Sequence, residues 1–103
     1  DGALLATSSD DQTVRLWHVN DSTQRAVLTG HASWVDRCAF SPDGILLATA
    51  SNDQTVRLWQ VARGRCHCAL RLVGPLIGIA WHPGATILCT VGGAGVYLLN
   101  YLP

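Results

Sequence analysis

The chain contains no lysine and no glutamate: its seven cationic side chains are all arginine, its seven anionic ones all aspartate, and the net charge is zero. A neutral chain has no general electrostatic pull toward nucleic acid or an anionic membrane surface, so neither is expected as a partner. The same absences remove two strong helix formers and the flexible charges that blunt exposed strand edges. Long apolar runs are missing too, because Arg, Asp, Pro or Gly interrupts each one short of a membrane span. The chain does not start with Met and opens on no basic, apolar, small-residue leader pattern, which reads either as a trimmed start or as a larger protein cut here. Four cysteines (Cys38, Cys66, Cys68, Cys89) are too sparse for the disulfide framework of a small secreted domain. They read as reduced thiols, and the expected setting is intracellular, cytoplasmic or nuclear.

What is present is β-like. Within 103 residues, 49% hydrophobic and 14% charged content exclude disorder and suit one modest domain with a small core. Asp1 to Trp17 and Asp43 to Trp59 match at fourteen of seventeen positions, at an offset of 42 residues. A period in the forties marks a repeat architecture, in which each unit buries its apolar faces against its neighbours.

Short alternating runs separated by turn residues predict strands over 4–8, 13–19, 26–28, 35–40, 45–50, 55–61, 68–72, 76–81, 87–91 and 96–100. Ser41–Pro42–Asp43–Gly44 supplies turn chemistry, and His82–Pro83–Gly84 occupies the same place one unit later. A weaker third copy starts near Leu76: Trp81 aligns with Phe40, Pro83 with Pro42, Thr90 with Thr49 and Leu98 with Leu58. It keeps the apolar pattern and loses most of the polar one.

Gly30–His31, then Ser41–Pro42–Asp43–Gly44, then Asn52–Asp53–Gln54–Thr55–Val56–Arg57–Leu58–Trp59 resembles the WD40 repeat, strongly over 1–61 and weakly over 73–100. His18 and Gln60 follow the two strand-ending Trp residues, where Asp is common. The resemblance implies an all-β fold of WD40-type β-propeller blades, four-stranded antiparallel sheets set radially, here as a partial, open propeller. It implies strands b, c and d of a first blade over 1–29, a complete second blade over 34–72, and strands a, b and c of a degenerate third over 76–101. It further implies a buried structural relay in which Asp53 accepts from His31, a hydroxyl of Thr49 or Ser51 meets the other ring nitrogen, and that hydroxyl accepts from Trp59. Thr7 or Ser9, Asp11 and Trp17 repeat it in the first blade. The third copy has Gly74–Pro75, Ala94 and Leu99 at the corresponding places, so its relay is absent.

Other readings compete with these. His31, Asp53 and a nearby Ser have hydrolase-triad composition, but no nucleophile elbow surrounds the Ser and the constellation recurs with the repeat. No catalytic residue and no cofactor or metal is expected. Cys66–His67–Cys68 is too closely spaced for a structural zinc pair; Cys66 and Cys68 read as small core residues on one strand face. Gly92–Gly93–Ala94–Gly95 lies between strands and reads as a turn, not a phosphate loop. Trp34 lies in the loop leading to an innermost strand, on the face where the resembled family commonly binds partners; exposure and packing across the blade junction both remain open. Trp34 with Asp36, Arg37, Asn52 and Asp10 forms the candidate partner-binding set, with an ordinary solvated rim as the alternative.

Closed propellers carry four to eight blades, so ten strands fall short. Val14, Leu16 and Trp17 read as an end face without an upstream partner, and the chain is expected to be a fragment of a larger propeller or to complete a ring by self-association. The expected function is a non-catalytic protein–protein interaction scaffold within a larger regulatory or signalling protein. The near-identical repeats also resemble C-terminal sensor propellers of nucleotide-binding switch ATPases and multidomain kinases. An enzyme or a nucleic-acid-binding propeller is the competing class, disfavoured by the lack of convergent acids, bases or lysines.

Overall fold

Apolar and β-branched runs cut by Asp, Asn, Ser and Gly become ten strands. The computed structural model describes residues 4–8, 11–71, 76–81, 87–92 and 95–100, with side chains over 4–8, 11–71 and 78–81. The strands are β1 (Leu4–Ser8), β2 (Val14–His18), β3 (Gln24–Leu28), β4 (Val35–Phe40), β5 (Leu46–Ser51), β6 (Thr55–Gln60), β7 (Arg65–Arg71), β8 (Leu76–Trp81), β9 (Ile87–Gly92) and β10 (Gly95–Asn100). They make three antiparallel sheets in chain order, β1-β2-β3, β4-β5-β6-β7 and β8-β9-β10. Among the described residues there is no helix. Three blades stacked side by side are fewer than a ring requires, so the array is open.

Local chemistry sets the turns. Between β4 and β5, Gly44 N–H donates to the Ser41 carbonyl, and Asp43 Oδ1 accepts from Ser41 Oγ and Ile45 N–H. Gly44 sits at φ 74°, where a Cβ is strained. The two Asp-Gln-Thr turns use the same left-handed step without glycine: Gln12 has φ 75° and Gln54 φ 71°. Each is held by the preceding Asp, whose Oδ1 accepts the Thr N–H two residues on.

Alternation along the strands builds two inter-blade cores. One face of the second blade (Leu47, Trp59, with Val35 and Val61) packs on Val14, Leu16 and Leu28 of the first. The opposite face (Ala48, Ala50, Val56, Leu58) meets Ile79 and Trp81 of the third. Small alanines there let the Trp81 indole approach closely, and its N–H donates to the Ala39 carbonyl at 2.9 Å. Full burial of each large apolar side chain contributes roughly 1.5–3 kcal/mol, so the blades hold mainly through these seams.

Two expectations need correction. Val14 and Leu16 are wholly buried against the second blade, and the uncovered end face carries Leu5, Trp17 and Val19 instead. Leu16 and Trp17 are adjacent on a strand and must point to opposite faces. Cys66 and Cys68 are exposed on the outer edge strand and are not core residues. A register shift between Leu58 and Trp59 pairs Cys68 with Leu58 and Cys66 with Trp59, making His67 the extra residue. That bulge breaks the simple alternation that would have put both thiols on one face. Strand β7 also begins at Arg65, earlier than the predicted 68. Ser9, Asp10, Gly74, Pro75, the His82–Gly84 turn, Ala94 and the Leu99 side chain lie outside what is described.

Candidate protein-binding face and the relay beneath it

The second blade brings His31, Thr49, Asp53 and Trp59 into one hydrogen-bonded chain. The Trp59 indole N–H donates to Thr49 Oγ1 at 2.9 Å, and the Thr49 hydroxyl meets His31 Nε2 at 2.6 Å. His31 Nδ1 lies 3.1 Å from Asp53 Oδ2. A carboxylate only accepts, so Nδ1 carries the proton and Nε2 accepts from the hydroxyl. Burial pushes the His31 ring below its ordinary value of 6.5, with the Arg57 guanidinium adding to this and Asp53 opposing it. The ring is therefore neutral at pH 7, and its contact with Asp53 is a hydrogen bond more than an ion pair. Burial alone would raise the Asp53 carboxyl, but donors from Thr55, Ala32 and His31 outweigh it and hold the group far below the usual carboxylate range.

Thr49, and not Ser51, supplies the hydroxyl. Ser51 instead donates to the Trp34 carbonyl at 2.9 Å and the Ser33 carbonyl at 3.2 Å, and accepts from Asp53 N–H. Thr55, which sequence reasoning passed over, bonds Asp53 through both its N–H and hydroxyl and lies 3.2 Å from His31 Nδ1. Gly30 sits at φ 151°, where a side chain is strained, and a Cβ there would also crowd Arg57 Nη1 at 3.2 Å and Trp59 Cη2 at 3.4 Å.

In the first blade Trp17 donates to Thr7 Oγ1 at 3.0 Å, reproducing the indole–hydroxyl step. Asp11 Oδ2, however, pairs with Arg15 Nη2 at 3.1 Å. Ser9 lies outside the described residues.

The Asp53–His31–Thr49 connectivity is that of a catalytic triad, yet it cannot act as one. Thr49 is fully buried and its oxygen already receives the Trp59 indole, leaving no approach for a substrate.

Above the relay, Trp34 is 52% exposed. Its carbonyl accepts from both Ser51 Oγ and Asn52 N–H, which ties the loop before β4 to the β5–β6 turn and fixes the backbone under the indole. Asp36 is the extra residue of a register shift between Val35 and Arg37. A bulge at a strand start re-aims side chains, and sequence alternation does not reveal it. Arg37 is exposed and bonds the Asp36 carbonyl at 2.9 Å. Trp34 and Asn52 thus adjoin, and Asp36 and Arg37 follow at the start of β4; Asp10 lies outside the described residues. Among the described residues, no three His, Cys, Asp or Glu side chains cluster as metal ligands would.

The family model described as WD domain, G-beta repeat matches residues 1–18 and 22–60, more than half of the chain. A 45-residue segment is 49% identical to the WD repeat and SOCS box-containing protein 1 of Homo sapiens, covering 42% of this chain and 11% of that protein. Non-functional target of rapamycin complex subunit LST8-2 of Arabidopsis thaliana is 49% identical over 39 residues, 38% of this chain and 12% of the relative. Apoptotic protease-activating factor 1 of Danio rerio is 44% identical over 41 residues, 40% of this chain and 3% of the relative. The chain spans 12% or less of the length of these relatives. With paired Gln12 and Gln54 turns, stacked antiparallel sheets and a His–Thr–Asp–Trp relay in its complete sheet, the chain belongs to the WD40, or G-beta, repeat family.

Proposed function

We propose that the chain is a non-catalytic scaffold for protein–protein interaction, the WD40 region of a larger regulatory or signalling protein. The loop face bearing Trp34, Asp36, Arg37 and Asn52 takes a protein or peptide partner. One observation carries this reading: a large amphipathic ring stands half out of the surface on a backbone anchored by Ser51 and Asn52. Ordering such an anchor in advance lowers the entropy lost on binding. WD40 repeats are in general interaction modules, which supports the class. Further blades, from the rest of a parent protein or a second chain, complete the ring in this reading, and the setting is intracellular. A C-terminal sensor propeller of a nucleotide-binding switch ATPase or of a multidomain kinase is the narrower version.

Affinity capture with the native chain and with Trp34→Ala tests the proposal. The variant should lose the captured partner while its melting temperature stays within about 4 °C, since a surface substitution costs about 0.5 kcal/mol. An identical partner set for both proteins would overturn it.

A further inference from the structure

The charges of this chain cancel in sum but not in place. All seven aspartates lie at or before residue 53, whereas four of the seven arginines, Arg57, Arg63, Arg65 and Arg71, follow it. Three of those four sit in the turn after β6 or on the exposed outer strand β7. Where that basic run begins, the seam between the first and second blades opens into a cleft of about 510 Å³, whose lining includes Leu4, Arg25, Ile45, Val61, Ala62 and Arg63. It lies at the β4–β5 and β6–β7 turns, the opposite end of the strands from Trp34.

Hydrogen bonds hold its walls. Val61 N–H donates to the Ile45 carbonyl at 3.0 Å and so joins the two turns, and the Gln60 carbonyl accepts from Arg63 N–H and Gly64 N–H. From across the seam, Arg25 Nη2 donates to the Ala62 carbonyl at 2.9 Å. Ile45 stands 63% exposed in the same cleft. No carboxylate lines the cleft, and among the described residues neither Arg25 nor Arg63 is ion-paired. The carboxylates of the adjoining turns are folded back on their own loops. Asp21 Oδ1 accepts from the Thr23 N–H and hydroxyl, and Asp43 Oδ1 from the Ser41 hydroxyl and Ile45 N–H. An exposed isoleucine therefore shares an ordered cleft with two guanidinium groups that lack a counter-charge.

We infer that this cleft docks an extended segment of a partner protein in which an aliphatic residue is flanked by Asp or Glu. Carboxylates on either side of that residue pair with Arg25 and Arg63, the planar guanidinium being matched to a carboxylate. The aliphatic side chain covers Ile45, Val61 and Leu4, which removes their apolar surface from water. Inorganic phosphate would satisfy the arginines and leave that floor wet, and a nucleic-acid backbone carries no aliphatic group to cover it. The hydrogen-bonded turns limit the ordering cost of binding. This surface is separate from the loop face that bears Trp34, and arginine clusters reading acidic motifs are a recurrent mode of peptide capture.

The test titrates the ¹⁵N-labelled chain with the acetylated, amidated peptide Glu-Glu-Leu-Glu-Glu, with versions carrying Gln for every Glu or Ser for Leu, and with inorganic phosphate. The first peptide should bind saturably and shift the amides of Ile45 and of residues 61–64, and both altered peptides should bind more weakly. Arg63→Gln should weaken the first peptide about threefold to fivefold, the scale of one partly exposed ion pair. Arg71→Gln removes the same charge at the far end of β7 and should change affinity less than twofold. Arg63 and Arg71 are both exposed, so neither substitution threatens the fold. The inference is overturned by no saturable binding at millimolar peptide, by equal affinity for either altered peptide, or by shifts confined to the Trp34 face. Equal losses in Arg63→Gln and Arg71→Gln would reveal a diffuse basic field, and phosphate that displaces the peptide at equal affinity would reveal a simple anion site; either result also overturns it.

Discussion

Replacing Asp53 by alanine strips four donors of a shared acceptor: His31 Nδ1–H, Ala32 N–H, Thr55 N–H and the Thr55 hydroxyl. Ala32 is exposed, so its N–H turns to water at little cost. The His31 ring has no such recourse, because its side chain is 1% exposed and that of Asp53 only 9%. A buried donor left unpaired costs about 1–3 kcal/mol, and hydrogen bonds to a charged acceptor lie at the upper end of the range, so the loss should be about 2–4 kcal/mol. Asp11 offers an internal control followed by the same six residues in sequence. Its side chain is 50% exposed and that of its partner Arg15 35% exposed, so Asp11→Ala should cost about 1 kcal/mol or less. For a domain of this size each kcal/mol is about 4–8 °C in melting temperature, so the two variants should separate clearly in thermal and urea unfolding. Equal losses at the two positions would refute the claim that the imidazole makes the difference.

Thr49→Val keeps shape but leaves the Trp59 indole and His31 Nε2 unpaired, and should cost about 2–4 kcal/mol. Ser51→Ala should cost about 1 kcal/mol and mainly speed hydrogen exchange at Asn52 and Asp53, whose amides it helps to anchor; equal destabilisation by the two substitutions would contradict this division. Stability should also fall in two stages on acidification. The folded chain holds His31 below its ordinary 6.5, so the unfolded state takes up a proton first and stability is lost as pH falls below about 6.5. Asp53, whose folded carboxyl is strongly depressed, keeps its contribution until pH falls below its ordinary 3.8. Urea titrations across pH should show the upper stage vanish in His31→Asn; a His31→Asn variant with the native pH slope between 6.5 and 5 would contradict the first stage.

Much of the fold was legible because its determinants are local. Period-two alternation, Asp-Gln-Thr turns and the Ser-Pro-Asp-Gly turn each act within a few residues, and the repeated stretch showed them twice. Bulges were not legible. The one opposite Leu58 and Trp59 turns out Cys66, and the one at Asp36 re-aims the start of β4; both depend on how two strands register. The relay joins residues up to 28 apart, from His31 to Trp59, and only the family pattern grouped them. Thr49 and Ser51 share one face of β5, so choosing between them needed the three-dimensional position of the histidine. Arg15 and Arg57 mark the limit most sharply. They lie within seven identical residues, Asp11 to Trp17 and Asp53 to Trp59, yet Arg15 pairs with Asp11 whereas Arg57 reaches Cys66 Sγ on the neighbouring strand, a choice that local sequence does not make.

The protonation state of the His31 ring at neutral pH tests the relay most directly, through ¹H–¹⁵N correlations of the imidazole nitrogens. A neutral ring with its proton on Nδ1, an Nε2 accepting from the Thr49 hydroxyl, and a titration midpoint below 6.5 is expected. An imidazolium at pH 7, or a proton resident on Nε2, would contradict the chain from Trp59 through Thr49 and His31 to Asp53.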